Sequence, residues 1–197
     1  MRRVWAMAAL LLLGGNAANA TVLISNAGTF TESPGVVDWF YNVALAPDQV
    51  LRPGDFFTIY DVPNIANVPN SVFFAPNSGS FLKTIAGTTP PNPAGAGAGD
   101  DPLINNINFT YDPTSSTTIT GGTGQIILGT LTIKSTTGIP LQTDYAAQAH
   151  LKPLPNPPST STGFVDVAAA VPEPSSVTLM ALGLIAFGVV AMRRRNV

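Results

Sequence analysis

Side chains suited to acid–base or nucleophilic chemistry are few in this chain of 197 residues. It contains one histidine, His150, and no cysteine, which excludes thiol catalysis, disulfides and thiolate metal sites. A Ser-His-Asp triad would have to use His150, but no nucleophile-elbow motif surrounds any serine. One histidine with carboxylates is also a poor ligand set for zinc. We therefore predict no catalytic residue, no metal site and no cofactor.

The carboxylates leave one catalytic alternative open. A glycosidase pair is recognised by its geometry, which a sequence does not contain. Glu32 is the only glutamate between residues 21 and 171, and most aspartates there stand near Pro, Gly, Asn or Thr, where they cap turns. These aspartates are Asp48, Asp55, Asp61, Asp100, Asp101 and Asp112. We interpret them as turn residues, and an exported carboxylate-dependent hydrolase stays the less favoured alternative.

The distribution of charge argues against a nucleic-acid partner. Five of the nine basic residues lie close to the two termini. Residues 21–171 keep four basic residues against ten acidic ones, a net charge of −6. Because nucleic-acid binding needs a basic surface, this composition excludes it.

The first twenty residues have the order of parts typical of a secretory signal peptide. Two arginines precede the apolar run Val4–Leu13, and Ala18 and Ala20 offer the small side chains that signal peptidase reads. Ten apolar residues are too few to span a bilayer. We predict a signal peptide over residues 1–20, cleaved after Ala20 by signal peptidase.

The C-terminal region predicts a membrane anchor with a fixed orientation. Residues 177–192 carry no charge, and the uncharged stretch is long enough for a short transmembrane helix. Arg193, Arg194 and Arg195 follow and begin a basic tail, residues 193–197, that acts as a stop-transfer signal on the cytoplasmic side. The domain before the helix is then exported, and the inner membrane holds the chain by this tail.

Pro172, Glu173 and Pro174 stand directly before that helix, in a linker over residues 169–176. Two prolines keep the peptide extended and accessible. The motif VPEPSS, the apolar span and the terminal arginines together resemble the PEP-CTERM sorting signal of Gram-negative bacteria. The resemblance implies that Pro172–Pro174 is read by exosortase, a membrane-embedded enzyme that removes the tail.

Residues 21–168 read as a single all-β domain. Short β-branched and aromatic runs alternate with Gly, Pro and Asn clusters, and no sustained helical period occurs. This pattern predicts an antiparallel β-sandwich of about six to eight short strands, with an irregular barrel as the alternative. The predicted strands are Thr21–Ile24, Val36–Ala46, Phe56–Tyr60, Val72–Ala75, Ile104–Tyr111, Gln125–Lys134 and Asp144–Leu151, with Phe164–Val167 as a possible last edge strand.

Local patterns refine the predicted strands. Alternation in the second one places Val37, Trp39, Tyr41, Val43 and Leu45 on one face, which we predict to be core. The sequence of residues 52–55, Arg-Pro-Gly-Asp, predicts a type II turn, and Gly129 indicates a bulge or a close backbone approach. Residues 121–124 predict a hairpin turn, residues 88–102 a flexible loop, and the region from Lys152 onward a Pro-rich linker.

The resemblance also implies a biological setting, which is exopolysaccharide production and biofilm formation. We therefore expect a non-enzymatic surface or extracellular-matrix protein, released or displayed after exosortase processing. The alternative is a carbohydrate-binding module anchored in the membrane, with Pro172–Pro174 as a spacer. Sugar stacking would need an exposed ring among Trp39, Phe40 and Tyr41.

Overall fold

The computed structural model describes residues 21–76, 80–87, 100–112, 114, 117–153 and 155–170, and regular structure in this part is entirely β. Its eleven strands are β1 (Val22–Ser33), β2 (Val36–Leu45), β3 (Gln49–Leu51), β4 (Phe56–Ile59), β5 (Val72–Pro76), β6 (Phe81–Ala86), β7 (Asn106–Tyr111), β8 (Ile119–Thr120), β9 (Ile126–Ser135), β10 (Pro140–Leu151) and β11 (Pro158–Ala168). No helix in this part of the chain is long and apolar enough to cross a membrane.

The strands form two antiparallel sheets around one core. The smaller sheet has four strands in the order β1-β2-β9-β5. The larger sheet has seven, in the order β6-β7-β4-β10-β3-β8, with β11 paired along β10. Apolar side chains from both sheets belong to a single buried cluster. The predicted all-β class with antiparallel sheets is confirmed.

Strand β2 illustrates how alternation determines burial. Trp39, Tyr41, Val43 and Leu45 are all buried, and Val37 is partly buried against the same core, as predicted. Trp39 Nε1 donates to the backbone oxygen of Thr137 at 3.0 Å, so the buried indole is hydrogen-bonded. This face of the smaller sheet therefore packs in the core.

Aromatic rings connect the two sheets near the edge strands β5 and β6. Phe57 of the larger sheet lies 5.4 Å from Phe74 of the smaller sheet, edge to face, and 5.1 Å from Phe109. Phe74 also meets Phe81 at 5.0 Å. Such ring pairs add to the stability that comes from burial alone.

The predicted strand number was too low, because the structure has eleven strands among its described residues. Strand β1 continues through the polar stretch Asn26–Ser33, which lacks an apolar alternation. Strands β3 and β8 have only three and two residues, and β6 is mostly exposed. Strand β11 begins at Pro158, inside the region predicted as a linker, and includes the predicted segment Phe164–Val167.

The predictions for the turn at residues 52–55 and for Gly129 are confirmed. In the predicted turn Gly54 has φ +92° and Asp55 N donates to Arg52 O at 2.9 Å. At Gly129 an added Cβ would lie 2.3 Å from Ala75 O, and the pairing of β2 with β9 shifts register beside it. The predicted hairpin at residues 121–124 is wrong, because β8 and β9 belong to different sheets.

Several predictions concern residues that the structure does not describe. These are the signal peptide with Ala18 and Ala20, the sorting residues Pro172, Glu173 and Pro174, the apolar span over 177–192, the terminal arginines Arg193, Arg194 and Arg195, and most of the glycine-rich loop. They stay predictions from the sequence.

Candidate functional site

The single histidine is paired with a buried aspartate. His150 Nδ1 lies 3.0 Å from Asp55 Oδ2, and the His150 side chain is 12% exposed. The same carboxylate accepts hydrogen bonds from Arg52 N at 2.7 Å and from Gln148 Nε2 at 3.0 Å. No described serine or threonine hydroxyl bonds to His150. The arrangement fastens the turn before β4 to strand β10.

The aspartates of the turns act as caps in the structure. Asp101 Oδ1 accepts from Leu103 N, and Asp112 Oδ1 accepts from both the amide and the hydroxyl of Thr114. These bonds from Thr114 lower the pKa of Asp112. The interpretation of the aspartates as turn residues is therefore confirmed for Asp55, Asp101 and Asp112.

Acidic side chains meet in the loops before β7. Asp61 Oδ1 accepts from Asp101 N at 2.9 Å, and Asp100 Oδ1 accepts from Asn106 Nδ2 at 2.8 Å. Burial raises the pKa of Asp61, and the neighbouring Asp100, Asp101 and Asp144 raise it further. Burial, together with Asp100 and Asp144, raises the pKa of Tyr60 to about 12.

Calcium binding at Asp100 and Asp101 has little geometric support. Within the described ranges no group of three or more His, Asp or Glu side chains is arranged to hold a metal ion. Asp101 already caps a turn and Asp100 accepts from the Asn106 side chain, which leaves few oxygens for a cation that takes six to eight ligands. Among the described residues, the acidic loops therefore provide local negative charge.

Two phenylalanine side chains lie in one row across the outer face of the smaller sheet. Strand register aligns Gly28, Phe40, Thr132 and Phe73 across β1, β2, β9 and β5. Phe40 is half-buried and Phe73 is 54% exposed. Two strand spacings separate them, which is about 9–10 Å. We call Gly28, Phe40, Thr132 and Phe73 the aromatic row.

Polar side chains flank the aromatic row on both sides. Asn42 and Thr130 pair in the row beyond Phe40 on one side. On the other side Lys134 pairs with Asp38 in register, with Lys134 Nζ 3.6 Å from Asp38 Oδ1, and Lys134 also bonds Glu32. The hydrogen bond to Glu32 raises the pKa of Lys134. The face thus combines rings with amide, hydroxyl and charged groups.

Of the three aromatic residues proposed for sugar stacking, only Phe40 is on this face. Trp39 and Tyr41 lie in the core, and burial raises the pKa of Tyr41. Phe73 was not identified as a site residue from the sequence. The predicted strand Val72–Ala75 already placed the Phe73 side chain on the opposite face of the strand from Val72 and Phe74. Only the register across β9 reveals that Phe73 joins Phe40.

The end of the last strand is held firmly to the domain. After β11 ends at Ala168, Ala169 N donates to Ile139 O at 2.7 Å, and Asn64 Nδ2 donates to Ala169 O at 2.6 Å. A shallow cleft of about 270 Å³ adjoins this point. Its lining residues are Val62, Pro63, Asn64, Ile65, Leu103, Ile104 and Asn105. No sequence signal marked Asn64 as the residue that fixes the chain exit.

Similarity to known proteins is slight over the domain. No curated protein matches the chain. Among solved structures, a GH20 exo-β-N-acetylglucosaminidase from Vibrio harveyi, in complex with N-acetylglucosamine, is 11% identical with a TM-score of 0.38. That match covers 79% of this chain but only 19% of the Vibrio chain.

A second solved structure is ACE19, the collagen-binding subdomain of the Enterococcus faecalis surface protein ACE. It is 13% identical with a TM-score of 0.30, and the match covers 76% of this chain and 97% of that one. At these TM-scores neither likeness supports an inference about fold details or function.

The C-terminal region, in contrast, matches a known family model. The PEP-CTERM protein-sorting motif matches residues 170–195, beginning one residue after the hydrogen-bonded Ala169. The match confirms the resemblance read from the sequence. Such a signal implies export and surface sorting through exosortase in Gram-negative bacteria. This chain carries the PEP-CTERM protein-sorting motif at residues 170–195.

Proposed function

We propose that the protein is a non-enzymatic component of the cell surface or extracellular matrix, which exosortase releases from its C-terminal tail. The observation that carries this proposal is the sorting motif at residues 170–195, directly after the last strand of a folded β domain. Pro172, Glu173 and Pro174 are the recognition element, and Arg193–Arg195 the stop-transfer signal. The setting is exopolysaccharide and biofilm formation.

Intact-mass spectrometry of the protein from its native host tests the sorting step. We expect a species that begins at Thr21 and ends between Pro172 and Ser176, and we expect it to disappear when exosortase is deleted. Replacing Pro172, Glu173 and Pro174 by alanine should have the same effect. Ser175→Ala and Ser176→Ala together serve as the control. A surface form that keeps Val177–Val197 in both strains would contradict the proposal.

The domain itself, in this proposal, binds exopolysaccharide through the aromatic row. Apolar faces of sugar rings lose water when they stack on aromatic rings, and the flanking Asn42, Thr130 and Lys134 offer hydrogen-bond partners. The separation of Phe40 and Phe73 is comparable to that of alternate sugar rings in an extended polysaccharide. This contact supports an adhesive role without catalysis.

Affinity electrophoresis of the processed protein in gels that contain the host exopolysaccharide tests this contact. We expect Phe40→Ala with Phe73→Ala to weaken binding about tenfold, since each stacked ring contributes favourably to binding. Phe164→Ala is the control, because Phe164 is an exposed ring on the larger sheet, away from the aromatic row. Equal retardation of all variants would remove the aromatic row from the proposal.

Two alternatives give different results in the same experiments. A permanently anchored carbohydrate-binding module would bind polysaccharide but keep its tail in the wild-type host. An exported hydrolase would shorten the polysaccharide during incubation and release new reducing ends. The turn bonds made by Asp55, Asp101 and Asp112 favour the non-enzymatic reading over the hydrolase.

A further inference from the structure

The folded domain reaches almost to the sorting motif. Two hydrogen bonds hold Ala169, to Ile139 and to Asn64. Only residues 170 and 171 separate Ala169 from Pro172, and three extended steps of chain cover at most about 10 Å. An enzyme that binds Pro172–Pro174 therefore works within about 10 Å of the surface of the domain.

We propose that exosortase docks on the domain surface around Ala169, in addition to reading the Pro-Glu-Pro peptide. This inference rests on the proposed sorting function. We call the docking region the exit surface and define it as residues 61–65, residues 100–105 and Ile139. The short connection brings the exit surface against the enzyme, so contacts made there help to position the peptide.

The exit surface has the chemistry of a protein contact. Leu103 is 92% exposed and Ile139 is 60% exposed, and the cleft between residues 62–65 and 103–105 opens beside them. Exposed apolar side chains next to a concave site are typical of interaction surfaces. Burial of Leu103 and Ile139 on a partner would favour association.

The charge of the exit surface favours the enzyme over the lipid bilayer as its partner. Asp61, Asp100 and Asp101 belong to the two segments that form the exit surface, and in the described structure no basic residue is bonded to any of them. An anionic lipid surface repels such a group of acids. A protein partner with apolar and basic side chains complements both features.

Docking of the domain would raise the local concentration of the Pro-Glu-Pro peptide at the enzyme. A second contact on the same chain makes peptide binding intramolecular, and a short connection gives the largest gain. The folded domain would then be part of the substrate, and the rate of tail removal would depend on surface residues outside the motif.

The test is the rate of tail removal in the native host, followed by pulse–chase labelling of the full chain. We expect Leu103→Ser with Ile139→Ser to slow tail removal about tenfold, because two apolar contacts are lost. Leu82→Ser with Leu151→Ser is the control. Leu82 aligns with Phe56 at the start of β4, and Leu151 is the last residue of β10. The exit surface lies beyond the end of β4 and before the start of β10, so both control residues are at the other end of the larger sheet.

A second variant separates docking from effects on folding or export. Twelve Gly and Ser residues inserted between Ala169 and Ala170 leave the motif intact and free the domain from the enzyme. In this background, Leu103→Ser with Ile139→Ser should be processed as fast as its parent. Unfolding midpoints of the processed variants, followed by Trp39 fluorescence, check that folding is unchanged.

Three other results would contradict the docking proposal, each for a different reason. Equal rates for the exit-surface variant and wild type, without the insert, would show that the enzyme reads the tail alone. Binding of the processed wild-type protein to phosphatidylglycerol vesicles, lost in the exit-surface variant, would assign this surface to lipid. A wild-type tail that stays uncut with or without exosortase would overturn the proposed function as well.

Discussion

Among single residues, Asp55 makes more polar contacts than its position in a turn requires. Its buried carboxylate accepts from Arg52 N and Gln148 Nε2 and faces His150 Nδ1. We expect Asp55→Ala to lower the free energy of unfolding by about 2–4 kcal/mol, because it leaves several partly buried donors without an acceptor. Urea denaturation followed by Trp39 fluorescence measures this.

The control for this prediction is Asp112→Ala. Asp112 also caps a turn through Thr114, but its carboxylate is exposed to solvent, and water replaces the lost acceptor. We expect a clearly smaller loss than for Asp55→Ala. Similar losses for the two variants would mean that Asp55 is an ordinary turn cap.

A second residue-scale prediction concerns pH and Asp61. Burial and the acids around Asp61 raise its pKa above the ordinary value of 3.8. The folded state therefore binds this proton more tightly than the unfolded state, so ionised Asp61 destabilises the fold at pH 7. This penalty decreases as the pH falls through the folded-state pKa and is absent below the unfolded-state value.

Asp61→Asn should accordingly raise the urea midpoint at pH 7 and leave it unchanged near pH 3. Asparagine keeps a side-chain oxygen that can accept from Asp101 N, and it tolerates the positive φ of 46° at this position. Midpoints measured across this pH range check the sign. A variant that is less stable than wild type at pH 7 would contradict the assigned cause.

At the scale of elements, Gly129 sets how closely β9 and β5 approach each other. An added Cβ would lie 2.3 Å from the backbone oxygen of Ala75 and 2.8 Å from the Phe74 ring. Backbone atoms cannot move aside as a flexible side chain can. We expect Gly129→Ala to lower the free energy of unfolding by about 1–3 kcal/mol.

Gly124→Ala is the matched control, because no atom lies within 4 Å of an added Cβ there. It should be neutral or slightly stabilising, since alanine restricts the unfolded chain. Thermal unfolding followed by circular dichroism compares the two variants. If Gly129→Ala changed the free energy of unfolding no more than Gly124→Ala, the approach of β9 to β5 would not require glycine at position 129.

Strands with a local signal were predictable, and strands that depend on distant partners were not. Alternation was enough to place β2, and the Pro-Gly turn was enough to start β4. Strand β1 extends through Asn26–Ser33 because β2 offers a partner along its full length. Likewise, β11 forms in a Pro-rich region because β10 pairs with it from His150 to Pro140.

At the scale of the whole molecule, the candidate sites also differ in whether the sequence alone could reveal them. The sorting motif is linear, so its residues could be read directly from the sequence, and the family model matches the same region. The aromatic row depends on register across four strands, and the exit surface depends on a hydrogen bond between Asn64 and Ala169. Contacts of such long sequence separation leave no local pattern.

The described part of the molecule should unfold as one unit, because a single core joins both sheets. Phe57 of the larger sheet contacts Phe74 of the smaller sheet, and one buried cluster includes both. Trp39 in the smaller sheet is the only tryptophan after residue 20 and is fully buried, so it reports on the core. For the segment 21–170 we expect Trp39 fluorescence and far-ultraviolet circular dichroism to give the same urea midpoint.

A substitution in one sheet then tests whether the other sheet responds. Phe57→Ala removes a buried ring from the larger sheet and should lower the free energy of unfolding, read from Trp39 in the smaller sheet, by about 3–5 kcal/mol. Leu82→Ala removes an exposed side chain from the same sheet and should change it by less than about 0.5 kcal/mol. If Phe57→Ala moved the circular dichroism transition but left the Trp39 transition in place, the two sheets would be separate cooperative units. One sheet could then unfold while the other stayed folded.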